Sequence, residues 1–277
     1  MWRFPFRVLL NASTLFPFHL TVTEQVQIAA KAGYQGVELW VKDIDTYLAA
    51  GGELSQLRDL IVEHGLVFAN AIAFFPWADS DPLVREAGFQ QAEREMRMLA
   101  ALGCQAIAAA PFGNVAESSL DLIAESFARL DQLGRSIGIE PYLEFWGRAK
   151  QLSRLSQALY VAAQSGLPQV RLLLDPFHMY TGGSSLHALR YLRGNNIGIV
   201  HVNDYPAEPP RDQIEDRQRV FPGEGVGPTT ELAMLLDQAG YNGFLSLELF
   251  IEDFGTASAL EVAKRGLVAV QQAYRIP

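Results

Sequence analysis

The chain predicts an α/β fold, a (β/α)8 TIM barrel, on three observations. Eight short apolar, β-branched runs alternate with helical patterns along the whole chain. Strict alternation implies parallel strands joined by helical crossovers, and eight such units close a barrel. The length of 277 residues suits one barrel, a unit that commonly takes about 250. Finally, "NASTLFPF" after the first run contains no glycine, so the phosphate-binding turn of an open doubly wound sheet is missing. Residues 1–277 are expected to form a single barrel domain.

The elements follow in order. "RVLLNAS" is the first strand, and "TEQVQIAAKAG" is a helix with Thr23 as its expected N-cap and Gly33 as its stop. "GVELW" precedes the helix "ELSQLRDLIVEHG", and "VFANAI" precedes "PLVREAGFQQAEREMRMLAALG". "QAIAAAP" leads into "LDLIAESFARLDQLGRSIG", and "PYLEFW" and "VRLLLD" supply strands five and six. "IGIVHVND", the helix "TELAMLLDQAG" and "FLSLELF" complete the series. Each helical pattern ends near a glycine, which stops a helix without a Cβ penalty. The one long irregular piece is residues 205–227 after strand seven, and long loops in compact domains tend to be functional.

Composition excludes several classes. Apolar residues make up 49% of the chain and charged ones 19%, enough to build a large core and unlike a disordered segment. The net charge of −9 and the absence of a basic run leave nothing to neutralise a phosphate backbone, so no nucleic-acid partner is expected. "MWRFPFRVLLNASTLFPF" is interrupted by Arg3, Pro5 and Arg7; it reads as neither a signal peptide nor a membrane span, and the expected location is cytoplasmic. The single Cys104 permits no internal disulfide and reads as a buried thiol.

In a barrel the strand interiors are packed and the C-terminal strand ends face the chemistry. Strand five ends in Glu144, six in Asp175, seven near His201 and eight near Glu248. Three carboxylates crowded on one rim would repel unless a cation neutralised them or one stayed protonated. With an imidazole and no thiolate, the set suits one divalent ion of the Mn, Mg, Co or Zn kind with positions left open for substrate. Each residue alone could instead be a cap or a salt-bridge partner. Pro176 ends strand six, so Asp175 and His178 can both turn toward the cavity; His178 reads as a substrate contact or as a buried structural histidine. Glu38 either reaches the pocket or forms a salt bridge inside the barrel. His19, His64 and His187 are assigned to structure, and Phe16, Phe75, Phe112, Trp146 and Phe177 are expected to form an apolar wall near the rim.

The set "LEFWG", "LLLDPFHMYTGGS", "VHVNDYP", "DRQRVFPGEG" and "GFLSLELF", in this order, resembles the xylose isomerase-like barrel superfamily of sugar phosphate isomerases and epimerases, most of all its inosose (2-keto-myo-inositol) isomerase group. The likeness runs from "GYQGVELW" to the last strand. It implies that Glu144, Asp175, His201 and Glu248 hold one divalent metal, that His178 contacts a substrate oxygen, and that Arg219 binds substrate from the loop after strand seven. Arg217 is the neighbouring alternative; Arg219 is favoured by its spacing to Pro222 and Gly223. The apurinic endonucleases of the same superfamily need three zinc ions, and their extra histidines are absent from "FANAIAF" and "AIAAAPF", as is an Asp-x-His pair near "EDRQR".

The expected partner is a small polar sugar or keto-polyol, and a homo-oligomer is compatible with the chain. The expected activity is isomerisation or epimerisation through an enediolate, with Glu144 and Glu248 as the acid–base pair. A dehydratase of the inosose or 3-dehydroshikimate type on the same site is the alternative, and a non-catalytic binding barrel is the third class.

Overall fold

The computed structural model describes residues 2–277. Eight parallel strands pair in chain order and close on themselves, β1 (Arg7–Asn11), β2 (Gly36–Trp40), β3 (Val67–Ile72), β4 (Ala106–Ala109), β5 (Glu140–Glu144), β6 (Leu172–Leu174), β7 (Ile197–Val202) and β8 (Phe244–Leu247). The helices are α1 (Val22–Ala32), α2 (Val41–Ala49), α3 (Leu54–Glu63), α4 (Pro82–Ala101), α5 (Leu120–Ile137), α6 (Leu155–Gln164), α7 (Pro176–Gly182), α8 (Thr229–Gln238) and α9 (Ala259–Ala273). Strands such as Val67–Ile72 and Ala106–Ala109 are almost wholly buried, as strands covered on both faces must be. One continuous apolar core runs through the barrel and under the helices. Cys104 is buried within it, with burial pushing its thiol up to about 12.

The helix ends follow local chemistry. Gly33 closes α1 in the left-handed conformation at φ 93°, as expected. The N-cap of α1, however, is Thr21 and not Thr23. Its side chain accepts from the Glu24 backbone N–H while the Glu24 carboxylate accepts from Thr21 N at 2.8 Å. The T-x-x-E spacing of this reciprocal cap was legible in "TVTE", and Thr23 sits inside the first turn.

Strand register builds a polar layer inside an otherwise apolar barrel. Asn11 of β1 pairs with Glu38 of β2, Glu38 with Asn70 of β3, and His201 of β7 with Ser246 of β8. Because the strands run parallel and in step, these side chains meet in one plane. Glu38 accepts from Asn11 Nδ2 at 2.7 Å, Asn70 Nδ2 at 2.7 Å and Ser246 Oγ at 2.6 Å. It also bonds His201 Nε2 at 3.0 Å, which makes it the salt bridge inside the barrel. A buried carboxylate is tolerated only with such full satisfaction.

Among the described residues no helix is long and apolar enough to cross a membrane.

Candidate metal centre

Above the polar layer, the C-terminal rim opens into a pocket of about 700 Å³. Asp175 directly follows β6, His201 is the penultimate residue of β7, and Glu248 directly follows β8. One ligand atom from each lies within 4.8 Å of the other two, and all three residues are buried. Glu144, the last residue of β5, lines the same pocket but stands outside that trio, with its Oε1 accepting from Trp146 Nε1 at 2.9 Å.

Each side chain is held in place by a separate contact. Asp175 both caps a helix and faces the site: Oδ1 accepts from Phe177 N at 2.8 Å and Asn203 Nδ2 at 3.0 Å, while Oδ2 accepts from Arg219 Nη1 at 2.8 Å. The cap reading and the ligand reading are therefore satisfied by different oxygens of one carboxylate. His201 is oriented by Glu38 through Nε2, leaving Nδ1 without a well-aligned hydrogen bond, 3.0 Å from Glu248 Oε2. A buried imidazole nitrogen left bare and aimed at carboxylates, with its other nitrogen on a second carboxylate, is the arrangement of a metal-binding histidine.

Arg219, 1% exposed, shows how strongly the site demands positive charge. Its Nη1 lies 2.8 Å from Asp175 Oδ2 and 2.7 Å from Glu248 Oε2, and it also pairs with Asp216. Two convergent carboxylate oxygens bracketing a cation, beside a bare imidazole nitrogen, fit a single divalent metal of the Mn, Mg, Co or Zn class.

The electrostatics follow from this crowding. Burial would raise the Asp175 carboxyl, but Arg219, His178, His201 and the Asn203 hydrogen bond outweigh it and hold the group well below the usual carboxylate range. Burial would lower His201, yet Glu248 and Glu38 raise it well above the ordinary histidine value. Burial dominates at Glu144, where, with Glu248 and Asp175 nearby, it outweighs His201 and lifts the carboxyl to about 8. Burial also lowers His178, so its ring is neutral at pH 7. His178 lies 3.8 Å from Asp175 Oδ2, too far for a hydrogen bond, and its Nδ1 has no partner.

The pocket wall is aromatic, but not in the expected membership. Trp40, Phe74, Trp146, Phe177 and Phe250 line it. Phe74 replaces Phe75, which is turned into the core at 1% exposure. Phe16 and Phe112 do not line the pocket; Phe16 packs on Trp40 at 5.0 Å and the exposed Phe112 on Phe74 at 5.6 Å between ring centroids.

Three further contributions around the site come from residues that the sequence alone does not single out. Asp204 anchors the loop after β7, accepting from the backbone N–H of Tyr205 (2.8 Å), Gly223 (3.0 Å) and Gly227 (2.8 Å). Gly225 passes so close that a Cβ would collide with the Asp204 carboxylate and the Tyr205 carbonyl. Arg148 ties the β5 loop to the β7 loop through the carbonyls of Asp212, Arg211 and Ile214. Lys150 joins Arg148 and Arg219 as a cation lining the pocket.

Fold and site together define a metal-binding TIM-barrel enzyme of the isomerase, epimerase and dehydratase superfamily. The chain matches the Xylose isomerase-like TIM barrel family over residues 26–267 and belongs to it. It is similar to an inosose isomerase of Bacillus velezensis, 25% identical over 252 residues that cover 87% of this chain and 88% of that one. It is also 29% identical over 260 residues to a 3-dehydroshikimate dehydratase of Pseudomonas aeruginosa, covering 89% of this chain and 39% of that longer protein. Among solved structures, the IOLI protein with a bound zinc atom superposes with a TM-score of 0.87 at 22% identity, covering 97% of this chain and 99% of that one. At that identity the likeness concerns the fold.

Proposed function

We propose that the protein interconverts α-hydroxy ketones of the ketose or keto-inositol type, moving a proton by way of an enediolate. The metal ligands in this reading are Asp175, His201 and Glu248, with Glu144 as the fourth. When bound, the metal supplies Lewis acidity to the substrate carbonyl, which acidifies the neighbouring C–H.

The observation that carries the proposal is the pair Glu144 and Glu248. They come from β5 and from the end of β8, which are not neighbours in the barrel, so their carboxyls approach the pocket from different sides. Burial lifts the Glu144 carboxyl to about 8 in the metal-free site; with one oxygen on the metal, its free oxygen stays basic enough to exchange a proton with substrate. Glu248 is held by Arg219 Nη1 at 2.7 Å and Asn11 Nδ2 at 3.2 Å, in position to take one. General acid and general base on opposite sides of a planar intermediate suit proton relocation or inversion. His178, neutral and with a bare Nδ1, is the hydrogen-bonding partner for a substrate hydroxyl. The aromatic wall of Trp40, Phe74, Trp146 and Phe250 covers the C–H face of a ring and excludes water. Arg219 carries the charge that positions a polar substrate group once it is released from the carboxylates.

A second reading, elimination of a β-hydroxyl on the same site, is favoured by the similarity to 3-dehydroshikimate dehydratases. Metal-loaded protein incubated with 2-keto-myo-inositol and a panel of ketoses in D₂O, followed by NMR, separates the two. Carbon-bound deuterium with an isomer or epimer is expected. An unsaturated, ultraviolet-absorbing product without isomer selects elimination, and no exchange in any substrate sinks the proposal.

A further inference from the structure

A second cavity, of about 300 Å³, lies between α7, the segment after β7 and α8. It shares no lining residue with the metal pocket. Its walls are mainly apolar, with Met179, Leu186 and Leu232 facing the stacked rings of Tyr180 and Tyr205, whose centroids are 4.0 Å apart at 11°.

Two polar atoms in this lining are buried without a partner. Asn203 is 1% exposed and Tyr274 is fully buried, and neither Asn203 Oδ1 nor the Tyr274 hydroxyl makes a hydrogen bond. The orientation of the Asn203 amide is not arbitrary. The Asp175 carboxylate can only accept, so the NH₂ must face it, at 3.0 Å, and the oxygen must face the other way. A buried polar group without a partner costs about 1–3 kcal/mol, a penalty that a partner of the right polarity removes.

The chemistry of that molecule can be read from the walls. Asn203 Oδ1 needs a donor and the Tyr274 O–H an acceptor; both lie sealed just behind the wall, so a ligand reaches them only by shifting the side chains that cover them, and a hydroxyl, which donates and accepts, suits either. The apolar walls call for a ring. Arg211 supplies an anion partner at the end of α7, where its Nη1 would lie 3.1 Å from a Cβ on Gly183. We propose that this cavity is a second ligand site, taking a small ring-bearing hydroxy acid, and that its occupancy is transmitted to the metal centre through Asn203. The path is short. A donor on Asn203 Oδ1 polarises the amide and strengthens its other hydrogen bond, to the metal ligand Asp175. In addition, α7 presents Met179 and Tyr180 to this cavity and Phe177 and His178 to the metal pocket, so one short helix feels both.

The test is independent of the isomerase reading, since it uses binding alone. 4-Hydroxybenzoate is titrated calorimetrically into metal-loaded protein, alongside benzoate, which lacks the hydroxyl, and 4-hydroxybenzyl alcohol, which lacks the charge. Binding of 4-hydroxybenzoate is expected, weaker by about tenfold for either analogue and in Tyr274→Phe and Arg211→Ala, a factor worth ~1.4 kcal/mol. Leu232→Trp, which fills the cavity, should abolish it, and Lys150→Ala, in the other pocket and outside α7, should not change it. Leu186→Trp at the cavity's edge provides a second filling variant should Leu232→Trp fail to fold. Saturating 4-hydroxybenzoate should also shift the metal dissociation constant, by the same factor with which metal shifts 4-hydroxybenzoate binding. No binding by any probe up to ~10 mM, binding that survives both filling variants, binding lost in Lys150→Ala, or a metal affinity that ignores the probe would each overturn the proposal.

Discussion

Titrating a divalent metal into metal-free protein at a series of pH values counts the protons its ligands must release. His201, raised well above its ordinary value by Glu248 and Glu38 against the effect of burial, carries a proton at pH 7 in the metal-free site. Glu144, lifted by burial to about 8, carries another. A metal takes neutral imidazole and ionised carboxylate. Each proton released makes the affinity rise about tenfold per pH unit below the relevant pKa. Between pH 6 and 7 the dissociation constant should therefore fall about a hundredfold if Glu144 completes the ligand set, and about tenfold if His201 alone gives up a proton. Glu144→Gln cannot titrate and should remove one unit of slope.

The same proton shapes the metal-free fold. Burial raises the Glu144 carboxyl from its ordinary value of 4.5 to about 8 in the folded chain, so it favours the folded state fully only below its unfolded pKa and that advantage is lost as pH rises toward 8. The integrated cost at pH 8 is about 4 kcal/mol, and metal-free Glu144→Gln should gain on wild type as pH rises from 5 to 8. Competition with a chromophoric chelator gives the affinities and urea unfolding gives the stabilities. A metal affinity flat from pH 6 to 7 would refute the protonation scheme, and an unchanged slope in Glu144→Gln would remove Glu144 from the ligand set.

Asp175→Asn keeps an acceptor for the Phe177 N–H, so the cap of α7 should survive while elemental analysis shows metal content falling sharply, as it should also in His201→Ala; full metal content in both variants would reject the site. Arg219→Ala leaves Asp175 and Glu248 facing one another uncompensated and should lower metal-free stability by about 3–5 kcal/mol, a loss that metal restores; an equal loss with metal bound would mean that Arg219 does not neutralise these carboxylates. Asp204→Ala strips acceptors from three loop N–H groups at about 1–3 kcal/mol apiece, and limited proteolysis should then cut within 205–227 at a rate well above wild type.

The barrel and its rim positions were legible in one dimension because both follow from local periodicity. Alternating runs specify strand and helix, and in a parallel barrel the residue that ends a strand is on the functional face whatever lies around it. That logic puts Asp175, His201, Glu248 and Glu144 on one rim; that the first three converge and Glu144 stands outside them is decided by the closed barrel. Closer questions depended on which side a side chain takes. Phe74 and Phe75 are neighbours of one type, and only the path of the chain after β3 decides that Phe74 meets the pocket and Phe75 the core.

Other features belong to pairs of residues far apart in the chain. Glu38 could have been a pocket carboxylate or a buried salt bridge, and the register of β2, β3, β7 and β8 made it the latter by placing Asn70, His201 and Ser246 around it. Arg219 is expected to bind substrate from the loop after β7; the structure places its guanidinium between Asp175 and Glu248, 44 and 29 residues away in the chain. Asn203 lies in "VHVNDYP" and Tyr274 near the last residues, but neither stretch signals an unpartnered polar atom, which arises only where packing covers it. The order of residues determines periodicity, caps and strand ends, because those are short-range. Burial, pairing and the resulting proton affinities are set by groups brought together from distant strands, and those only the closed barrel can decide.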